Sequence, residues 1–129
     1  MRILVDTNVL FSALLFPESV PAKALLRAAD EHNIVLCDRN ISELKGILLR
    51  KAPQLLPDAD VLLAEMSYEL IPAVYHSEKL MRDAKDQPIL NAAIIFGIDI
   101  ILTGDKDFLS LDMEHPKCIT PAEFLKLNY

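Results

Sequence analysis

Short runs of aliphatic and β-branched residues alternate along the chain with longer stretches in which apolar residues recur every three or four positions. The runs are Arg2–Val5, Ile34–Cys37, Leu70–Val74, Asp99–Leu102 and Lys117–Thr120. They are apolar at successive positions rather than alternate ones, which fits strands covered on both faces. Between them, Ala22–Glu31 carries Leu25, Leu26 and Ala29 against a polar opposite side. Ile41–Arg50 repeats at Ile41, Leu44, Ile47 and Leu48, and Asp58–Glu69 reads as another helix. Gln87–Phe96 repeats at Ile89, Leu90, Ala93 and Ile94. Pro121–Leu127 closes the chain, with proline at a first helical position where its missing N–H is harmless. Strand alternating with helix predicts an α/β fold: a three-layer α/β/α sandwich around a parallel sheet of four to five strands.

No repeat, low-complexity tract or linker interrupts this pattern, so residues 1–129 read as a single domain with one core. Apolar residues make up 52% and charged residues 25%, a globular rather than a disordered balance. Cys37 and Cys118 sit in the apolar runs IVLCD and PKCIT and read as buried free thiols. Asp6-Thr7-Asn8 breaks the apolar N-terminal stretch too early for a signal peptide, and no apolar run approaches ~18 residues. A cytoplasmic protein with no membrane partner is therefore expected. The net charge of -6 argues against a broadly basic nucleic-acid surface. It does not exclude a site where bound cations cancel the charge locally.

Asp6 stands out because a carboxylate between Ile3-Leu4-Val5 and Val9-Leu10-Phe11 is costly to desolvate without a partner. Parallel α/β sheets bind ligands at the carboxyl ends of their strands. Asp6-Thr7-Asn8 follow the first strand, Asp38 and Glu43 the second, and Thr103-Gly104-Asp105-Lys106-Asp107 the fourth. Asp83 and Asp86 precede the fourth helix. Each acid alone has a structural reading. Asp6 or Asn8 caps the first helix, Asn40-Ile41-Ser42-Glu43 forms a variant capping box, and Asp86 caps the Gln87 helix. Thr103–Asp105 makes a turn. Together, four or more carboxylates at one sheet edge repel each other and raise each other's pKa. A cation relieves that repulsion, and an oxygen-only ligand set selects Mg²⁺ or Mn²⁺ over zinc. His32 and His115 read as exposed loop residues, and His76 has no partner at a telling spacing. GxGxxG, P-loop, CxxC, HExxH and GxSxG motifs do not occur.

The acids lie in recognisable strings. V-D-T-N-V ends the first strand, I-S-E-L-K-G-I-L carries Glu43, and R-D-A-K-D-Q-P-I-L carries Asp86. I-L-T-G-D-K-D-F-L carries Asp105 and Asp107, and C-I-T-P-A-E-F-L closes the chain. In this order and spacing the chain resembles, over essentially its whole length, the PIN-domain ribonucleases, in particular the toxin-like members related to VapC. The resemblance implies a catalytic, metal-binding set of Asp6, Glu43, Asp86 and Asp105. Asn8 and Thr103 support it, with Asp83 and Asp107 as accessory acids. It implies Mg²⁺- or Mn²⁺-dependent hydrolysis of RNA phosphodiester bonds by water, without a side-chain nucleophile. It further implies a homodimer and a small antitoxin protein that covers the cleft.

The departures from the family pattern are few. Gln87 stands where asparagine is frequent, Asp38 replaces a frequent serine at the cap, and Asn91 is polar where the helix is usually apolar or small. Asn91 then faces either the cleft or solvent. None of these removes a core acid. Among Arg39, Lys45, Arg82, Lys85 and Lys106, only Lys106, between two cleft acids, reads as a candidate RNA contact; the rest read as solvated charge. A phosphoacceptor receiver domain would need an acidic pair after the first strand, and a haloacid-dehalogenase phosphatase a D-x-D where this chain has D-x-N. The alternative that stands is a non-catalytic PIN-like binding or structural module.

Overall fold

The computed structural model describes residues 1–75 and 86–127. His76, Arg82, Asp83 and Lys85 lie outside the described residues. The strands are β1 (Arg2–Val5), β2 (Asn33–Cys37), β3 (Tyr68–Ile71), β4 (Ile100–Leu102) and β5 (Lys117–Ile119). They pair in parallel in the order β3-β2-β1-β4-β5. The helices are α1 (Thr7–Leu15), α2 (Val20–Glu31), α3 (Asp38–Lys51), α4 (Leu56–Glu65), α5 (Gln87–Ile95), α6 (Lys106–Leu109) and α7 (Pro121–Leu125).

Side chains leave a strand alternately to either face, so each strand feeds two cores. Ile3, Val5, Ile34, Leu36, Ile100, Leu102 and Ile119 face one side, packed with Val9, Leu10, Leu25, Leu44, Leu48 and Phe124 from α1, α2, α3 and α7. Leu4, Val35, Cys37, Ile71 and Ile101 face the other, against Ile89, Leu90, Ala92 and Ala93 of α5 and Phe108 of α6. This is the three-layer α/β/α sandwich that the continuous apolar runs predict. Cys37 is buried and Cys118 half-buried, and both are free. No single helix among the described residues is long and apolar enough to cross a membrane.

The larger departures from the sequence expectation each have a local reason. The third strand is Tyr68–Ile71 rather than Leu70–Val74, because Tyr68 and Glu69 pair with Ile34 and Val35. Pro72 follows with no N–H to continue the ladder. The helix before it runs Leu56–Glu65, opened by a proline in its first turn, rather than Asp58–Glu69. Helix α3 starts at Asp38, three residues before Ile41, because Cys37 takes the N-cap position and Asn40 closes the box behind it. The single turn of α6 is too short to show a period. His32 is half-buried at the end of α2, edge-on to Phe124 at 5.9 Å, rather than an exposed loop residue.

Two connections fix the approach to the sheet edge. After α5, Gly97 adopts φ +67°, and the Ile98 and Gly97 N–H groups donate to the Ala93 and Ile94 carbonyls. That paired closure needs a left-handed residue, which glycine supplies without strain. The chain entering α5 is held from within that helix by Asn91, whose side chain is 2% exposed, facing neither cleft nor solvent. It donates to the Val74 carbonyl at 2.7 Å and accepts from Gln87 Nε2 at 2.8 Å, while Val74 N–H donates to the Pro88 carbonyl. The two departures Gln87 and Asn91 therefore work as a pair that ties the chain leaving β3 to the first turns of α5.

Removing that tie takes the Asn91 donor from the Val74 carbonyl and the Asn91 acceptor from the Gln87 amide. Asn91→Ala is expected to lower stability by about 1–3 kcal/mol in urea unfolding. A change within 0.5 kcal/mol, on the order of an ordinary surface substitution, contradicts this role.

Candidate functional site

The strand order places β1 beside both β2 and β4, so the connections from β1 and towards β4 leave in opposite directions. A crevice opens at such a switch point, outside the carboxyl ends of the strands. Asp6 directly follows β1 and lies at this point. Its backbone N–H continues the ladder to the Leu102 carbonyl at 3.0 Å, while its side chain is 5% exposed.

Four donors surround the Asp6 carboxylate. Thr7 N–H reaches Oδ1 at 2.8 Å, and Asn40 Nδ2 reaches the same oxygen at 3.5 Å. Thr103 Oγ1 donates to Oδ2 at 2.7 Å, and Asn8 Nδ2 donates there at 3.0 Å. Asp6 thus occupies the N-cap position of α1, as its local sequence indicates, and also receives three side chains from elsewhere around the cleft. Its pKa is nevertheless pushed up from 3.8 to about 6. Burial is the largest cause; the Thr103 and Thr7 hydrogen bonds oppose it, and Asp105 and Glu43 add to the rise.

Thr103 relays this arrangement to the loop after β4. Its hydroxyl oxygen accepts from Asp105 N–H at 2.9 Å, and Asp105 Oδ1 accepts from Asp107 N–H at 2.9 Å as the cap of α6. Asn8 Oδ1 accepts from Gly104 N–H at 3.2 Å, a second link from α1 to the same loop. Glu43, on α3, accepts from Arg39 Nε at 3.1 Å and lies 3.3 Å from the Thr7 hydroxyl. Asp86 holds the N-cap position of α5, but its side chain makes no cap hydrogen bond.

One cleft of about 220 Å³ is lined by Asp6, Glu43, Asp86 and Asp105, together with Thr7, Asn8, Phe11, Ile47 and Lys51. Carboxylate oxygens of Asp86, Asp105 and Asp107 lie within 4.8 Å of one another. The sequence-expected acids therefore share one cleft, and the accessory Asp107 sits in the tightest group, while Asp6 and Glu43 stand at the wall with protein donors. Among the described residues the lining carries no imidazole and no thiol, and the donors it has fit a hard, oxygen-preferring cation. The N-termini of α1, α3 and α5 point their partial positive charge at this edge, which favours carboxylates there. Asp38 is elsewhere: its Oδ1 accepts from Ala73 N–H at 3.0 Å and anchors the chain after β3.

Two residues escaped the sequence reading. Asn40 is fully buried, with Oδ1 accepting from Cys37 N–H and Nδ2 donating to Thr7 Oγ1 at 3.1 Å as well as towards Asp6. Its position three residues before Glu43 reads as the N-cap of a box with Glu43; Asn40 is instead the third helical residue of a box with Cys37, and that spacing carries no sign of Asp6. Lys51 lies at the end of α3, where a lysine reads only as a favourable charge for the helix dipole. Lys106, the expected RNA contact, is exposed and is not among the lining residues.

Comparison with known proteins agrees with this architecture. Residues 2–107 match the family model described as PIN domain. An uncharacterized protein of Methanocaldococcus jannaschii is 30% identical over 141 residues, covering 98% of this chain and 90% of its own length. The crystal structure of VapBC2 from Rickettsia felis, bound to a DNA fragment from their promoter, matches with a TM-score of 0.70. That match covers 93% of this chain and 98% of that one at 17% identity, a likeness of fold.

The Asp6 environment sets a pH dependence in the metal-free protein. Folded Asp6 titrates near 6 and unfolded Asp6 near 3.8, so between those values the folded state binds more protons. Stability contributed by this group is greatest below about pH 4, falls as pH rises to 6, and is level above. Asp6→Asn removes the titration. In EDTA, its stability relative to the unsubstituted protein is expected to rise by about 2 kcal/mol from pH 4 to pH 7. Parallel urea curves across that range contradict the assignment.

Proposed function

The chain belongs to the PIN-domain family, and from that premise we propose that it is a divalent-metal-dependent endoribonuclease, the toxin component of a toxin–antitoxin pair. The observation that carries the reading is the group of Asp86, Asp105 and Asp107 carboxylates within 4.8 Å, in a cleft shared with Asp6 and Glu43. Such a group repels itself and any phosphate until a cation is present. Asp86, Asp105 and Asp6 are the proposed holders of Mg²⁺ or Mn²⁺, with Glu43 and Asp107 completing the acidic set. When bound, the ion supplies Lewis-acid stabilisation of phosphoryl oxygens and lowers the pKa of water.

The chain's own residues do the positioning. Thr103 fixes Asp6 and Asp105 relative to each other by donating to one and accepting from the backbone of the other. Thr7 and Arg39 orient Glu43 across the cleft. Asn8 holds the Gly104 turn and Asp6 together. Among the described residues the lining offers no serine, cysteine or histidine, which supports hydrolysis by water over a covalent intermediate.

The same reading includes a small antitoxin-type partner, a homodimer and a cytoplasmic setting. An apolar groove lined by Ala13, Leu14, Pro17, Leu25, Leu26 and Leu62 supports a protein partner. The exposed Ile94, Ile95 and Phe96 at the end of α5 support self-association.

Purified protein incubated with Mn²⁺ and an RNA pool tests the activity. Cleavage is expected with Mn²⁺ and not with EDTA, and Asp6→Asn and Asp105→Asn are expected to slow it by roughly hundredfold or more. Equal cleavage by these variants places the chemistry elsewhere. Absence of cleavage by the unsubstituted protein with Mn²⁺ favours a non-catalytic binding module.

A further inference from the structure

One wall of the acidic cleft is not acidic. Thr7 and Phe11 are one turn apart on α1, and Glu43, Ile47 and Lys51 are successive turns on one face of α3. All five line the same cleft. The Thr7 hydroxyl lies 3.3 Å from Glu43 Oε2, which sets the two helix faces side by side at their first turns. Phe11 and Ile47 therefore follow as the next pair outward, and Lys51 lies beyond them, about 12 Å along the helix axis from Glu43. Among the described residues Phe11 is the one aromatic and Lys51 the one basic residue of the lining. Phe11 is half-buried and Lys51 exposed. Among the described residues Lys51 is in no ion pair, whereas Arg39 on the same helix is paired with Glu43.

An aromatic face, an aliphatic floor and a cation in sequence, leading away from a group of carboxylates, have little to offer a metal. They match the base and phosphate of a nucleotide. We propose that Phe11, Ile47 and Lys51 form a nucleotide subsite in which a base of single-stranded RNA stacks on Phe11 and an adjacent phosphate meets Lys51. This deepens, and rests on, the ribonuclease reading of the cleft. The subsite selects unpaired RNA, since a base held in a duplex stack cannot turn onto a side chain in a narrow cleft. Lys51 also offsets the acidic field that otherwise repels the strand beside the reacting phosphate.

The test is binding rather than cleavage. A fluorescein-labelled 12-nucleotide single-stranded RNA is titrated by anisotropy with Ca²⁺ replacing Mg²⁺, and gel analysis shows the probe intact afterwards. A set of probes carries one abasic position each. The unsubstituted protein is expected to bind the single strand in preference to a duplex of equal length, and to lose roughly tenfold at one abasic position. Phe11→Leu, which keeps an apolar side chain against the core, is expected to lose about the same with the full probe and nothing further at that abasic position. Lys51→Ala is expected to lower the slope of log affinity against log salt by roughly 0.7, with Lys51→Arg restoring it. Equal abasic penalties in Phe11→Leu and the unsubstituted protein overturn the stacking, and an unchanged salt slope overturns the phosphate contact. If RNA is cleaved with Mn²⁺ while these binding signatures are missing, the subsite fails and the ribonuclease reading stands. If the signatures appear without cleavage, the reverse holds.

Discussion

A carboxylate that is 5% exposed must have its oxygens hydrogen-bonded, and satisfying Asp6 organises the working edge of this protein. Its donors come from β1's own helix, from Asn40 on α3 and from Thr103 after β4. Each donor is in turn held by another polar group: Thr103 by Asp105 N–H, Asn8 by Gly104 N–H, Asn40 by Cys37 N–H and Thr7. Three strand ends are thereby locked to one another through a single side chain. Among the described residues no buried side-chain nitrogen or oxygen lacks a partner. The network is satisfied as it stands, so its geometry is fixed before any ligand arrives.

The electrostatics follow from that rigidity. Hydrogen bonds lower the Asp6 pKa, yet burial and the neighbouring acids win, leaving it near 6. Three further carboxylates, Asp86, Asp105 and Asp107, gather half-buried within 4.8 Å of one another. A divided arrangement results: a buried anion held by protein at the back, and a half-buried acidic group at the front. In the proposed ribonuclease the cation lies between them, held by Asp86 and Asp105 at the front and by Asp6 at the back. Preorganisation of this kind is what lets a small cleft stabilise charge without reorganising during reaction.

Much of this was legible in the chain. Successive apolar positions in Arg2–Val5 and Ile34–Cys37 announce strands buried on both faces, and those strands stand where expected. Acids placed just beyond strand ends converge because a parallel sheet presents all its carboxyl ends along one edge. What was not legible depends on three-dimensional proximity. Asn40 uses one end of its amide to cap Cys37 N–H and the other for Asp6, whereas its spacing to Glu43 suggests a box with that residue instead. Asn91 looked misplaced on an apolar helix until Val74 was seen beneath it. The third strand runs Tyr68–Ile71 rather than Leu70–Val74 because Pro72 and the pairing partners of Tyr68, rather than the apolar run, decide its limits.

The account stands on the cleft being a cation site, and anomalous diffraction from crystals soaked in millimolar Mn²⁺ tests that most directly. The predicted result is anomalous density in the cleft in contact with the carboxylates of Asp86 and Asp105. A cleft without density at that concentration, its three front carboxylates still gathered, would contradict the account.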